Sequence, residues 1–146
     1  MNKGDKELLL KDLCARLPYG VNVERLSKIL KIISIRPSYK YCVECELEEG
    51  VTMSYDIDDI KPYLRPMSSM TEEEKKELKT LFDAEEITSD SICYLEGGTL
   101  EEYLSHISYY FCSKIIDWLN AHHFDYRGLI ERGLAIEVTE ENNPYK

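Results

Sequence analysis

The spacing of apolar residues predicts a helix at the start of the chain. Leucines recur at helical intervals between Asp5 and Pro18, a pattern typical of an α-helix with one buried face. Aspartate is a common N-cap, and a helix seldom runs into proline. We therefore expect a helix over residues 6–17 with Asp5 as its N-cap.

After this helix the pattern changes to alternating and β-branched residues. In residues 39–47, apolar and mostly charged side chains alternate, which is typical of a half-buried strand. Residues 21–23, 27–35 and 51–55 are predicted to form further strands. Together these segments predict a small, curled antiparallel sheet over about residues 20–60.

Helix signals dominate the second half of the chain. Thr71 and Glu74 have the spacing of a capping box, in which each side chain bonds the other's backbone amide. Thr99 and Glu102 repeat this spacing and predict the start of the longest helix, near residues 100–124. The apolar stripe that we expect to form its buried face consists of Leu104, Ile107, Phe111, Ile115, Trp118 and His122.

These elements predict one α+β domain spanning residues 1–146. The sheet is expected to pack against two or three helices, the later ones within a helical region over residues 71–138. Residues 139–146 are polar and are predicted to form a tail.

The charge distribution constrains the partners. The formal net charge is −10, and it lies entirely in residues 66–146, because acidic and basic residues cancel in residues 1–65. Acidic surfaces repel phosphate backbones, so the composition favours a protein partner over a nucleic acid.

Cysteine usage and hydropathy predict the cellular setting. Five cysteines, an odd number, are spread through a chain large enough to need no disulfides, which favours a reducing, cytoplasmic compartment. The polar N-terminus predicts no secretion signal, and no apolar run is long enough to predict a membrane span.

Two motifs suggest metal or redox chemistry. His122, His123 and Asp125 are residue types that bind zinc or iron, but adjacent histidines on a helix diverge, so we expect a packed histidine bonded to a carbonyl. Cys42 and Cys45 form a CxxC pair, and on a strand they point to opposite faces. We therefore expect no catalytic residue, metal or cofactor.

One basic segment is typical of single-stranded nucleic-acid binders, which combine aromatic and positively charged residues on a sheet. Glu44 and Glu46 follow at once and would neutralise it. The segment consists of Arg25, Lys28, Lys31, Arg36 and Lys40, interleaved with Tyr39 and Tyr41.

Three segments resemble those of a family of uncharacterised proteins from gut anaerobes and their prophages. They are residues 60–74 (IKPYLRPMSSMTEEE), residues 117–130 (DWLNAHHFDYRGLI) and, more briefly, residues 17–21 (LPYGV). The resemblance implies a phage or mobile-element setting inside a bacterium. It carries no activity and no catalytic residues.

These observations favour a non-catalytic phage or mobile-element accessory protein that acts through protein contacts. Exposed aromatic and arginine residues often anchor interfaces. The expected recognition surface consists of Tyr63, Arg65, His123, Asp125, Tyr126 and Arg127. Two alternatives stay open: a small metal-dependent or hydrolytic enzyme using His122, His123 and Asp125, and a single-stranded nucleic-acid binder using the basic segment.

Overall fold

Helices and a six-stranded mixed sheet form an α+β fold in the computed structural model, which describes residues 1–36, 41–48, 50–83 and 109–146. The helices of these residues are α1 (Lys3–Arg16), α2 (Glu72–Asp83) and α3 (Tyr109–Ala121). The strands are β1 (Asn22–Arg25), β2 (Lys28–Arg36), β3 (Cys42–Glu48), β4 (Val51–Asp56), β5 (Lys61–Leu64) and β6 (Ile136–Glu137). Contacts divide the chain into two compact units, Met1–Arg65 with Arg127–Lys146, and Pro66–Tyr126. The α+β class is as the sequence predicts.

The sheet of the first unit has the strand order β4-β3-β2-β1-β5-β6. Neighbouring strands are antiparallel except β5 and β6, which are parallel. The antiparallel strands of residues 20–60 are confirmed, but the sheet is larger and mixed. β5 carries Pro62, and β6 has two residues, so neither has the alternating run by which a strand is recognised.

One face of this sheet packs on α1. Leu9 and Leu13 of the helix are completely buried in one cluster with Val23 of β1, Ile32 of β2 and Val43 of β3. The alternation of buried and less buried residues along β3 confirms the predicted half-buried strand. We call the opposite side of the sheet the outer face.

The N-cap of α1 is Asn2, and the prediction of Asp5 is wrong. The Asn2 side-chain oxygen accepts a hydrogen bond from the Asp5 backbone amide at 2.9 Å, so the helix begins one turn earlier than expected. Asparagine is as good a cap as aspartate, and its amide group also bonds the Asp5 carboxylate.

A two-residue turn joins β1 to β2, because Arg25 pairs directly with Lys28. Both turn residues have positive φ, 50° at Leu26 and 62° at Ser27, as a type I′ turn requires. Such turns favour asparagine and glycine, and neither residue is present here.

The second unit contains the predicted capping box. Glu74 accepts a hydrogen bond from the Thr71 amide at 2.9 Å, and the Glu74 amide donates to the Thr71 hydroxyl at 3.2 Å. The core of the second unit is a cluster of fully buried side chains from α2, α3 and the residues after α3. This cluster consists of Leu78, Ile115, Leu119 and Phe124.

The buried face of α3 differs from the predicted stripe. Ile115 is buried as expected, but Leu119 is buried in place of Trp118, and both Trp118 and His122 are half-buried. The bulky Trp118 ring covers the edge of the core instead of filling it. The predicted start of this helix, its first stripe residues and the second capping box lie outside the described residues.

Helix α3 ends at Ala121. Two backbone hydrogen bonds, donated by the amides of His123 and Phe124, close the helix, and the sequence does not predict them. His123 has a φ of +61°, its amide bonds the Asn120 carbonyl at 3.1 Å, and the Phe124 amide bonds the Leu119 carbonyl at 3.0 Å. This is a Schellman motif, with histidine where glycine is usual.

Residues 122–138 form turns and β6, so the predicted helical region over residues 71–138 is wrong in this part. Gly133 has a φ of +69° and closes a turn, with its amide donating to the Ile130 carbonyl. The predicted polar tail is held in place: the Tyr145 hydroxyl donates to the Tyr63 carbonyl at 2.9 Å.

Candidate functional site

In the alternative metal or hydrolytic site, His122 makes other contacts. The His122 ring stacks on Trp118 with ring centroids 4.0 Å apart, and its Nδ1 lies 2.9 Å from the Trp118 carbonyl oxygen. The expected bond between a histidine ring nitrogen and a carbonyl oxygen is confirmed, although His122 is half-buried. Asp125 is buried. No group of three or more histidine, cysteine, aspartate or glutamate side chains in the described ranges could hold a metal ion.

None of the six residues of the expected recognition surface is fully exposed. Tyr63 and Asp125 are buried, with 4% and 8% of their surface exposed, so their predicted exposure is wrong. The other four are half-buried, and the six are divided between the two units: Tyr63, Arg65 and Arg127 in the first, and His123, Asp125 and Tyr126 in the second.

Burial of Tyr63 has a clear structural cause. Its hydroxyl donates to Glu24 on the neighbouring strand at 2.9 Å, and its carbonyl accepts from Tyr145. Burial, and then the Glu24 carboxylate, raise the pKa of Tyr63 to about 12. The neutral Tyr63 side chain therefore has a structural role, because it links β5 to β1.

A buried charge cluster joins α1 to the segment that follows α3. Asp12 and Arg16 are both completely buried, and Arg16 donates to Asp12 through Nε at 2.7 Å and Nη2 at 3.1 Å. Arg127 Nε lies 3.2 Å from the same carboxylate. Buried charges need such partners, so these three residues hold the unit together and are not open to a ligand.

The basic segment does not form a continuous positive surface. Arg25 stacks over the Tyr55 ring at 4.3 Å, and Arg36 lies 3.4 Å from Glu44. Lys28 and Lys31 are exposed, while Tyr39 and Lys40 lie outside the described residues. Two of its arginines therefore have partners within the sheet.

The CxxC cysteines lie on β3 with different burial, as predicted for strand residues three apart. Cys42 is half-buried and Cys45 is fully buried, and both are free thiols. Burial raises the pKa of Cys45 to about 11, which keeps that thiol protonated and unreactive.

The outer face of the sheet carries apolar residues on the central strand β2. Ile29 is 53% exposed and lies beside Glu24, and Ile33 is 41% exposed at a β-bulge. The outer face of an antiparallel sheet is usually polar where water covers it. Residues 27–35 have isoleucines at both odd and even positions, a pattern that predicts a strand but does not say which of its two faces is covered.

A hydrogen-bond cluster fixes the backbone beside these isoleucines. Glu44 of β3 accepts from Ser34 of β2 at 2.7 Å and from Thr52 of β4 at 3.0 Å. The Ser34 bond, followed by the Thr52 bond, lowers the pKa of the Glu44 carboxyl. Three strands are thus tied together through one carboxylate on the outer face.

Strand β4 forms one edge of the sheet. Within the described ranges it pairs with β3, and its other side faces no strand. Val51 and Met53 on this strand are 50% and 51% exposed. The outer face of β2 and the open edge at β4 are therefore two apolar surfaces of the first unit.

Comparisons with protein-family models, curated proteins and solved structures give no match. No helix in the described part of the chain is long and apolar enough to cross a membrane.

Proposed function

We propose that this protein is a non-catalytic accessory protein that acts by binding another protein through the outer face of its sheet. The observation that carries the proposal is the exposure of Ile29 and Ile33 on the central strand β2. Apolar side chains of this size gain free energy when a partner removes them from water.

The chemistry around the two isoleucines supports a protein partner. Lys31 lies between them in the sequence, and Glu24 and Glu46 flank the strand on the neighbouring strands. A mixture of apolar and charged residues of both signs is typical of protein interfaces, in which a polar rim surrounds an apolar centre. The Glu44 cluster lowers the ordering cost of binding, because it already holds β2, β3 and β4 in place.

The proposed setting is the bacterial cytoplasm, in a phage or mobile element. The resemblance of residues 60–74 and 117–130 to the prophage family supports the genetic setting. The free thiols of Cys14, Cys42 and Cys45 support a reducing compartment. The genes beside this one in its source genome test the setting, since phage structural or regulatory genes should adjoin it.

The binding surface is tested by affinity capture with a matched control. Ile29→Thr/Ile33→Thr removes apolar surface and keeps both strand residues β-branched. Tyr19→Thr changes a residue of similar exposure, 38%, in the turn after α1. Tagged wild type, double variant and control are each used to capture proteins from the source bacterium, and thermal melts confirm that all three fold.

We expect the wild type and Tyr19→Thr to capture the same defined set of proteins. The double variant should not capture this set, because it alone changes the outer face. Identical sets on all three proteins would refute the outer face as the binding surface.

A further inference from the structure

The sequence of β4 holds few of the residues that usually protect an edge strand. Natural edge strands are commonly shielded by lysine, proline or inward-pointing charge, because their free backbone groups can pair with another strand. Residues 51–55 are Val-Thr-Met-Ser-Tyr and include none of these. Residues 51–54 are all exposed, and among the described strands β4 pairs with β3 alone.

The side chains of β4 are arranged symmetrically about Met53. Val51, Met53 and Tyr55 lie on one face of the sheet, which Met53 and Tyr55 share with their partners Cys45 and Val43. Thr52 and Ser54 lie on the outer face. Residues 51–55 of this strand therefore have an apolar residue at their centre, hydroxyl residues on both sides of it, and apolar residues at both ends.

We propose that β4 pairs antiparallel with β4 of a second copy of this chain, with Met53 at the centre. In this register Val51 lies opposite Tyr55 of the other copy, and Thr52 lies opposite Ser54. Directly opposite residues share a face of the sheet, so every apolar residue meets an apolar one and every hydroxyl meets a hydroxyl. A strand of different sequence would match β4 equally well only if its apolar and hydroxyl residues alternated in the same order.

The residues that pair in this contact bring no charges together, although the net charge of the chain is −10. Residues 51–55 are uncharged, and Lys6 forms ion pairs with Asp56 at the end of the strand and with Asp58 beyond it. The uncharged residues 51–55 do not select a partner by charge, which favours a copy of the same segment over a strongly basic peptide. Five paired residues span about 17 Å, so the interface is small and the dimer should be weak and dependent on concentration.

This proposal rests on a different strand from the proposed function, so either can fail without the other. Pairing along β4 keeps the outer faces of the two copies on the same side of a continuous sheet. Each dimer would then present two copies of Ile29 and Ile33 to a partner, which raises its apparent affinity for a repeated or dimeric target.

A charge exchange at Met53 tests both the partner and the register. Met53→Lys and Met53→Glu each place like charges directly opposite in the dimer, because residue 53 faces its own counterpart. The full chain is measured by sedimentation velocity over a dilution series. Leu26→Lys and Leu26→Glu are the control variants, since Leu26 is 79% exposed in the turn between β1 and β2, away from the edge at β4 and outside the proposed binding surface.

We expect the wild type and both Leu26 variants to dimerise as concentration rises. Each Met53 variant should weaken dimerisation by about tenfold or more, which corresponds to about 1.4 kcal/mol, and an equal mixture of the two should restore it. A wild type that stays monomeric, Met53 variants that dimerise as well as the wild type, or a mixture that stays monomeric would each overturn the proposal.

Discussion

Arg16 bonds Asp12 one helical turn before it, and both side chains are completely removed from water. Lys3 and Glu7 form an ion pair with the same spacing on the same helix, but their side chains are 86% and 56% exposed. The two pairs differ in solvent exposure, and this difference should decide what each contributes to stability.

Breaking the buried pair should be far more costly than breaking the exposed one. Asp12→Ala leaves the Arg16 charge buried without its carboxylate, so we expect it to lower the free energy of unfolding by about 3–5 kcal/mol. Glu7→Ala should change it by less than about 1 kcal/mol, because water screens the exposed pair. Urea unfolding of both variants measures the difference, and equal losses would show that Asp12 is not buried as described.

Two buried tyrosines should destabilise the fold at alkaline pH. Burial is the main cause that raises the pKa values of Tyr63 and Tyr145 from 10.0 to about 12. Above pH 10 the unfolded chain ionises these phenols while the folded chain does not, so the free energy of unfolding should fall as pH rises towards 12. Below pH 10 both phenols are protonated in the folded and the unfolded chain, so their stabilising contribution should be fully present.

Tyr63→Phe/Tyr145→Phe removes both phenols and tests this assignment. The variant also loses their hydrogen bonds, so it should be less stable than the wild type at neutral pH. Its stability should nevertheless fall less steeply at alkaline pH, as measured by urea unfolding over a series of pH values. A slope as steep as that of the wild type would assign the alkaline loss to other groups.

Glu44 should stabilise the outer face at neutral pH and lose this effect in acid. The Ser34 and Thr52 hydroxyls lower the pKa of its carboxyl, so the folded state favours the ionised form. The contribution is present above the ordinary glutamate pKa and disappears as pH falls through the lowered value. Glu44→Gln should thus melt below the wild type at pH 7 and approach it in acid, and a gap that widened in acid would contradict this account.

The β1–β2 turn should become more stable with residues that suit its backbone. Leu26 and Ser27 both have positive φ, which costs non-glycine residues about 1 kcal/mol or more each. Leu26→Asn/Ser27→Gly gives the preferred type I′ pair, and Leu26 is 79% exposed, so little packing is lost. We expect a gain of about 1–2 kcal/mol by thermal or urea unfolding; a loss of stability would show that Leu26 makes a contact that matters.

Local sequence patterns predict much of this fold. The alternation in β3, the leucine spacing in α1 and the Thr71 capping box each act within a few residues, and each is present as expected. The patterns fail where distant contacts decide the outcome. β5 and β6 are held by strands far away in sequence, and the tail is fixed by the bond between Tyr145 and Tyr63.

The candidate site was harder to predict, because residue type does not determine exposure. Tyr63 is of a residue type that often anchors interfaces, and Asp125 carries a charge, yet both are buried here. Isoleucine is a residue type usually found in a core, yet Ile29 and Ile33 are exposed on the outer face. Their position depends on which face of the sheet α1 covers, and no pattern local to β2 contains that information.

The contact between two copies along β4 is tested most directly by amide hydrogen exchange of residues 51–55 at low and high protein concentration. Amides that pair with a second copy should exchange more slowly as concentration rises, while those of β1, which already lies between β2 and β5, should not change. Met53→Lys should remove the concentration dependence in β4. Exchange rates in wild-type β4 that are identical at every concentration would contradict the account.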